Sequence, residues 1–168
     1  MASGTWILDG GTQSGQWTAE NSCTVTLPEA VTEGEHALTL QGENENGDAL
    51  RVQYRFRVDC SGPALLIGAP VNGSFFGGTD SDDTAETVTL EGRSEPGTTV
   101  CVKVGGVDAA SEVVDETGEF HIDVVLDETK LQQTLTVSAV DAAGNAAAEK
   151  EITLNNAITG AEGVYLGI

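Results

Sequence analysis

Two histidines, His36 and His121, and three cysteines, Cys23, Cys60 and Cys101, are the side chains that could serve as bases, nucleophiles or soft-metal ligands. Neither histidine belongs to a motif that reads as a Ser-His-Asp or Cys-His set. His121 alternates outward beside Asp123, and His36 falls in register with Leu38 and Leu40. The cysteines lie far apart and lack the close C-x-x-C spacing of zinc or redox sites. Cys23 occupies an inward register and reads as a buried, inert thiol. A Cys60–Cys101 bridge is geometrically conceivable in an oxidising setting, but the odd count leaves the redox compartment open. With 27 Asp+Glu in the chain, two carboxylates at glycosidase spacing would arise by chance. They read as solvated strand-face charges. No catalytic residue is assigned, and the chain reads as non-enzymatic.

Two further candidates have plain readings. Asp80-Ser81-Asp82-Asp83 is acidic but lacks the twelve-residue calcium-loop pattern with its glycine and closing glutamate. It reads as a solvated loop. Trp6, Trp17, Tyr54, Phe56, Phe75, Phe76 and Phe120 could stack on a sugar, but aromatics are only 5% of the chain, and cores need most of them. No carbohydrate site is visible.

The elements that must position these residues are strands. Leu50, Val52, Tyr54, Phe56 and Val58 alternate with Arg51, Gln53, Arg55 and Arg57. One face is apolar and the other carries long polar side chains, as a half-buried strand requires. Phe120, Ile122, Val124 and Leu126 form a second such run, and Val100, Val102 and Val104 a third. Shorter alternations fall at Leu38 and Leu40, Val88 and Leu90, Leu135, Val137 and Ala139, and Ile152 and Leu154. Between them lie Gly- and Asp/Asn-rich turn signals such as Glu45-Asn46-Gly47-Asp48 and Asp141-Ala142-Ala143-Gly144-Asn145. No helix of useful length is read. The class is all-β, a sandwich or barrel.

Charge and hydropathy bound the partners. The net charge is −20 and mean hydropathy −0.09. A packed core is feasible, and binding to nucleic acid or to an anionic membrane is disfavoured. No apolar run is long enough to span a bilayer. No basic and apolar leader follows Met1, so no signal peptide is read in this chain.

The chain repeats itself. Leu38, Leu40, Asn44, Gly47 and Asp48 match Leu135, Val137, Asp141, Gly144 and Asn145 at a constant offset of 97. Carried backwards, that offset sets Val25 and Leu27 against Ile122 and Val124, and Cys23 against Phe120, as a further strand. A boundary falls at Val58-Asp59-Cys60-Ser61-Gly62-Pro63.

Over 63–154 the sequence resembles the bacterial immunoglobulin-like (Big-type) domains of surface proteins. The resemblance rests on Pro63-Ala-Leu-Leu-Ile67, Ala69-Pro-Val-Asn-Gly73, Val88-Thr-Leu-Glu-Gly92, Glu95-Pro-Gly-Thr-Thr-Val100, Gly118-Glu-Phe120 and the strand that runs from Leu135 into the D-x-x-G-N hairpin at Asn145. Trp6-Ile-Leu-Asp-Gly-Gly11, Thr24-Val-Thr-Leu-Pro-Glu29, Gly34-Glu-His-Ala-Leu-Thr-Leu40 and Phe56-Arg-Val-Asp59 look like the later strands of another copy. The resemblance implies an immunoglobulin-like β-sandwich in tandem repeat, the first copy incomplete: a partial domain at 1–60, a complete one at 61–155 and a tail at 156–168. Roughly 35 residues precede the matching strand of the second copy, enough for two strands that have no counterpart before Trp6. The sequence thus looks as though it begins inside a domain.

In such a sandwich the first strand starts at the pole that carries the second-to-third and sixth-to-seventh strand loops. That arrangement would bring Asp59, Glu95, Asp141 and Asn145 towards one another at the interdomain junction, with Glu29 or Glu33 from the loop before Gly34. Calcium favours flexible oxygen cages of this type. The competing reading is turn chemistry, in which Asp141 and Asn145 bond only their own hairpin. No other cofactor is read.

The resemblance implies an extracellular or cell-surface location, and a spacer, stalk or adhesion module joined to neighbouring domains of a larger chain. A host or cell-surface ligand is a further partner it allows. The alternative is a ligand- or carbohydrate-binding accessory module of an extracellular enzyme.

Overall fold

The computed structural model describes residues 2–11, 13–19, 22–27, 29–77 and 85–157. The acidic run at 80–83 and the tail from 158 onward lie outside them, as does Pro28. The chain forms two compact units, Met1–Cys60 (unit 1) and Ser61–Ile168 (unit 2). Among the described residues, all twelve regular elements are strands.

Unit 1 contains β1 (Ala2–Leu8), β2 (Gln13–Ala19), β3 (Gly34–Glu43) and β4 (Ala49–Val58). They form one antiparallel sheet in the order β2-β1-β3-β4. The alternation read at 50–58 builds β4, whose Arg51, Gln53, Arg55 and Arg57 are exposed while Val52 and Phe56 are half-buried. Trp6, Leu8 and Trp17 are the buried centre, with Val25, Leu27, Leu38 and Leu40 packed around them.

Unit 2 contains β5 (Leu66–Ala69), β6 (Phe75–Phe76), β7 (Ala85–Arg93), β8 (Thr99–Val104), β9 (Val107–Val113), β10 (Glu119–Asp127), β11 (Gln132–Val140) and β12 (Lys150–Asn156). The sheets are β10-β7-β5 and β6-β12-β11-β8-β9. Leu90, Phe120, Ile122, Val124 and Leu126 from the first meet Val100, Val102, Leu135, Val137, Ile152 and Leu154 from the second in one buried core. Each strand contributes every second side chain, the expected result of a period of two on two facing sheets. The immunoglobulin-like resemblance implies seven or nearly seven strands over 63–154; the described strands of unit 2 number eight. The alternation places Val88, Leu90, Val100, Val102, Phe120, Ile122, Leu135, Val137 and Ile152 in the core, and all are found there, with Val88 packed at its margin.

The order β2-β1-β3-β4 repeats the order β9-β8-β11-β12. Leu38 pairs with both Leu8 and Tyr54, as Leu135 pairs with both Val104 and Ile152. Unit 1 is therefore built on the strand order of one of unit 2's two sheets. One expectation fails. Residues 22–27, read as a strand, belong to no sheet. They alternate inward and outward as a strand would, but the described part of unit 1 holds no counterpart of β5, β6 or β7 to pair with them.

Candidate functional site

The residues with the most specific sequence pattern are the two turns. In the β11–β12 turn, Asp141 Oδ1 accepts from the backbone N–H of Ala143 at 2.9 Å and of Asn145 at 2.8 Å. Its Oδ2 accepts from Asn145 Nδ2 at 3.0 Å. In the β3–β4 turn, Asn44 Oδ1 accepts from Asn46 and Asp48 N–H, each at 2.9 Å, and Asn44 Nδ2 donates to Asp48 Oδ2 at 2.9 Å. The amide and the carboxylate have exchanged places, and the bonding pattern is unchanged. Gly47 and Gly144 sit at φ 83° and 92°, a region that glycine enters without steric cost. The Asn145 amide, followed by the turn's backbone N–H groups, holds the Asp141 carboxyl below the usual carboxylate range. Asp115 and Asp127 are held low in the same way, first by the hydroxyls of Thr117 and Thr129.

The four residues assigned to calcium are distributed as follows. Asp59 follows β4 in unit 1, while Glu95, Asp141 and Asn145 belong to unit 2. Glu95 Oε1 accepts from Ala64 N–H at 3.3 Å, and Ser94 Oγ donates to Ala64 O at 2.7 Å. Asp141 and Asn145 are brought together, as partners within one turn. Among the described residues, no group of three or more His, Cys, Asp or Glu side chains could hold a metal ion.

His36 has a structural task that its spacing did not reveal. It is 9% exposed; its Nδ1 lies 2.7 Å from Asp9 Oδ2 and its Nε2 lies 2.6 Å from Thr32 O. Both partners are acceptors, so only the doubly protonated imidazolium donates to both. The bond to Asp9, then that to Thr32, pushes the His36 pKa up. Asp9 is held low in return, and its Oδ1 accepts from Ala37 N–H at 2.8 Å. The register equivalent in unit 2 is Gln133, also buried, whose amide donates to Asp127 O and accepts from Asp127 N–H. His121 is exposed, and Cys23, Cys60 and Cys101 are free thiols.

The sequence did not mark the inner face of β4 as open. Tyr54 is 54% exposed where its register equivalent, Ile152, is 5% exposed. A groove of about 410 Å³ lies on this face of unit 1, lined by Trp17, Cys23, Leu40, Leu50, Val52 and Tyr54.

The strand order of unit 2 and its single core between two sheets define an immunoglobulin-like sandwich. Residues 79–156 match the family model described as a bacterial Ig domain. The chain is similar to the solved Clostridium thermocellum CbhA fibronectin(III)-like modules: 11% identity and a TM-score of 0.50 over 98% of this chain and 83% of that one. A biofilm associated protein, BSP domain, is 15% identical with a TM-score of 0.38, over 94% of this chain and 25% of that one. A 1.5-MDa bacterial ice-binding adhesin is 16% identical with a TM-score of 0.38, over 92% of this chain and 53% of that one. At such identities the first likeness is one of fold, and the other two carry no argument. No curated protein matches the sequence.

Proposed function

We propose that the chain is a non-catalytic spacer, stalk or adhesion module of a bacterial surface protein, working outside the cell and joined to neighbouring domains. The observation that carries this reading is the closed immunoglobulin-like sandwich of unit 2, matched over 79–156 by the bacterial Ig domain family. Its turn carboxylates at Asp115, Asp127 and Asp141 are engaged in holding loops. A shape-keeping role needs this economy of loop and core and no reacting group. The net charge of −20 opposes collapse of such a module onto nucleic acid or an anionic bilayer. No helix among the described residues is long and apolar enough to cross a membrane.

The test is a substitution of the whole module. The chain is fused between a surface anchor and an epitope on a bacterial cell, and then replaced by an unrelated sandwich of equal length. Equal antibody access to the epitope, with no binding of the isolated chain on a glycan array, supports the spacer. Saturable binding to one glycan class would overturn it in favour of an accessory binding module.

A further inference from the structure

In unit 2 the segment that follows β9 is β10, which forms nine residue pairs with β7. Its inward side chains, Phe120, Ile122 and Val124, are 0%, 4% and 1% exposed. In unit 1 the segment that follows β2 is 22–27. Cys23, Val25 and Leu27 turn inward and pack with the Trp6, Leu8 and Trp17 cluster, while Ser22, Thr24 and Thr26 face solvent. The three inward side chains are only half-buried. What seals their equivalents is the neighbouring ladder, with Leu90 opposite Ile122 and Val88 opposite Val124. Residues 22–27 have the pattern of a strand and the exposure of an edge, and beside them opens the groove floored by Trp17, Leu40 and Val52.

We propose that unit 1 is a strand acceptor: an extended peptide segment with apolar side chains at alternate positions adds antiparallel to residues 22–27 and seats those side chains over Trp17, Val25 and Tyr54. Strand addition of this kind takes affinity from main-chain bonds and specificity from the alternate side chains. The repeat specifies the occupant further. A Cβ on Gly92 would lie 2.3 Å from Leu66 O of β5 and 2.3 Å from Phe120 Cζ, so the neighbouring backbone and the ring together require glycine there; a segment added to unit 1 meets no described counterpart of β5. Cys23 stands where Phe120 stands and is far smaller. The occupant's residue opposite Cys23 is therefore a full-size aliphatic one. Its outward side chains are neutral or basic, because the chain it joins carries a charge of −20. The same charge sets two copies of this chain against each other, which makes a separate segment the favoured occupant over a second copy.

Trp6 and Trp17, both in unit 1, are the only tryptophans, so their emission reads this site alone. The probes are a synthetic peptide with the β7 sequence Ala85–Arg93 in which the outward Glu91 is replaced by lysine, its Gly92→Leu form, and the Gly92→Leu form with Val88 and Leu90 replaced by serine. Each is titrated into the full chain. The Gly92→Leu peptide should shift the emission saturably and bind about tenfold or more tightly than the serine peptide. In the Cys23→Phe chain the preference should reverse towards the glycine peptide. If that variant fails to fold, the ranking on the natural chain decides alone. No saturable shift with any peptide, or equal binding of the serine peptide, overturns the proposal. A chain that sediments as a dimer untouched by peptide assigns the face to a second copy and overturns it too.

Discussion

Phe120 and Cys23 stand at the same place in two copies of one strand order, and their surroundings differ. Phe120 is fully buried between two sheets; Cys23 is half-buried against one. The strands beneath them follow the same order, with β3 between β1 and β4 as β11 is between β8 and β12, and the turns at 44–48 and 141–145 bond alike. Local sequence therefore sets the turns and which side chains of a segment face inward. Burial of an inward-facing side chain needs the second layer as well. A strand with the right alternation but no neighbour stays an extended segment, because its N–H and C=O groups have no ladder to join.

The largest test of this difference is truncation at the shared position. Phe120→Ala should cost unit 2 about 3–5 kcal/mol, because the cavity opens inside a sealed core. Cys23→Ala should cost unit 1 no more than about 1 kcal/mol, since the removed sulfur is already half in water. Tryptophan emission follows unit 1 alone, and far-UV circular dichroism, to which both units contribute, gives the unit 2 transition by difference. Equal losses would show that the two positions are equally packed. Separated at the boundary, 61–156 should unfold reversibly as a monomer, and 1–60 should self-associate or fail to fold. Sedimentation of the two fragments checks this, and a monomeric, reversibly folding 1–60 would contradict it.

A smaller effect separates His36 from Gln133. His36 is raised by Asp9 and then by Thr32, and Asp9 is lowered by His36. The histidine contribution is complete below the ordinary value of 6.5 and is lost as pH rises through the raised folded value. The Asp9 contribution is present above 3.8 and is lost as pH falls through its lowered value. Unit 1 should thus weaken as pH rises above the ordinary histidine value of 6.5, read as a falling urea midpoint of tryptophan emission. His36→Gln should flatten that limb. Gln133 does not titrate, so its place in unit 2 contributes no such slope.

The smallest effects belong to the turns. Asn44→Ala and Asp141→Ala should each lower the stability of their own unit and leave the other unchanged. Millimolar calcium should leave the Asp141→Ala loss unaltered, because the lost bonds are those of the turn. A calcium-dependent midpoint that vanishes in an Asp59→Ala, Asp141→Ala double variant would instead establish Asp59, Glu95, Asp141 and Asn145 as a cation site.

Much of the fold is legible where a strand carries its own pattern. Leu50 to Val58 and Phe120 to Leu126 alternate cleanly, and the Asp141-to-Asn145 turn names its bonding by its residue types. β2 was not legible, since Gln13–Ala19 has one large apolar residue, Trp17, and owes its strand geometry to β1. The two-residue β6 depends on β12 in the same way. Residues 22–27 misled in the opposite direction, because alternation states which side is apolar and not whether a neighbour is present. The task of His36 was hidden because its partner Asp9 lies 27 residues away. The open face at Tyr54 was hidden because its sequence is that of a core strand.

Hydrogen exchange compares the two segments most directly. In the full chain, the amides of residues 22–27 should exchange at rates near those of loops, while the amides of β10 that bond to β7 should be protected to the limit set by global unfolding of unit 2. Addition of the Gly92→Leu peptide should slow 22–27 and leave β10 as it was. Protection of 22–27 equal to that of β10 in the chain alone would mean that this segment already has a partner, and would contradict the account.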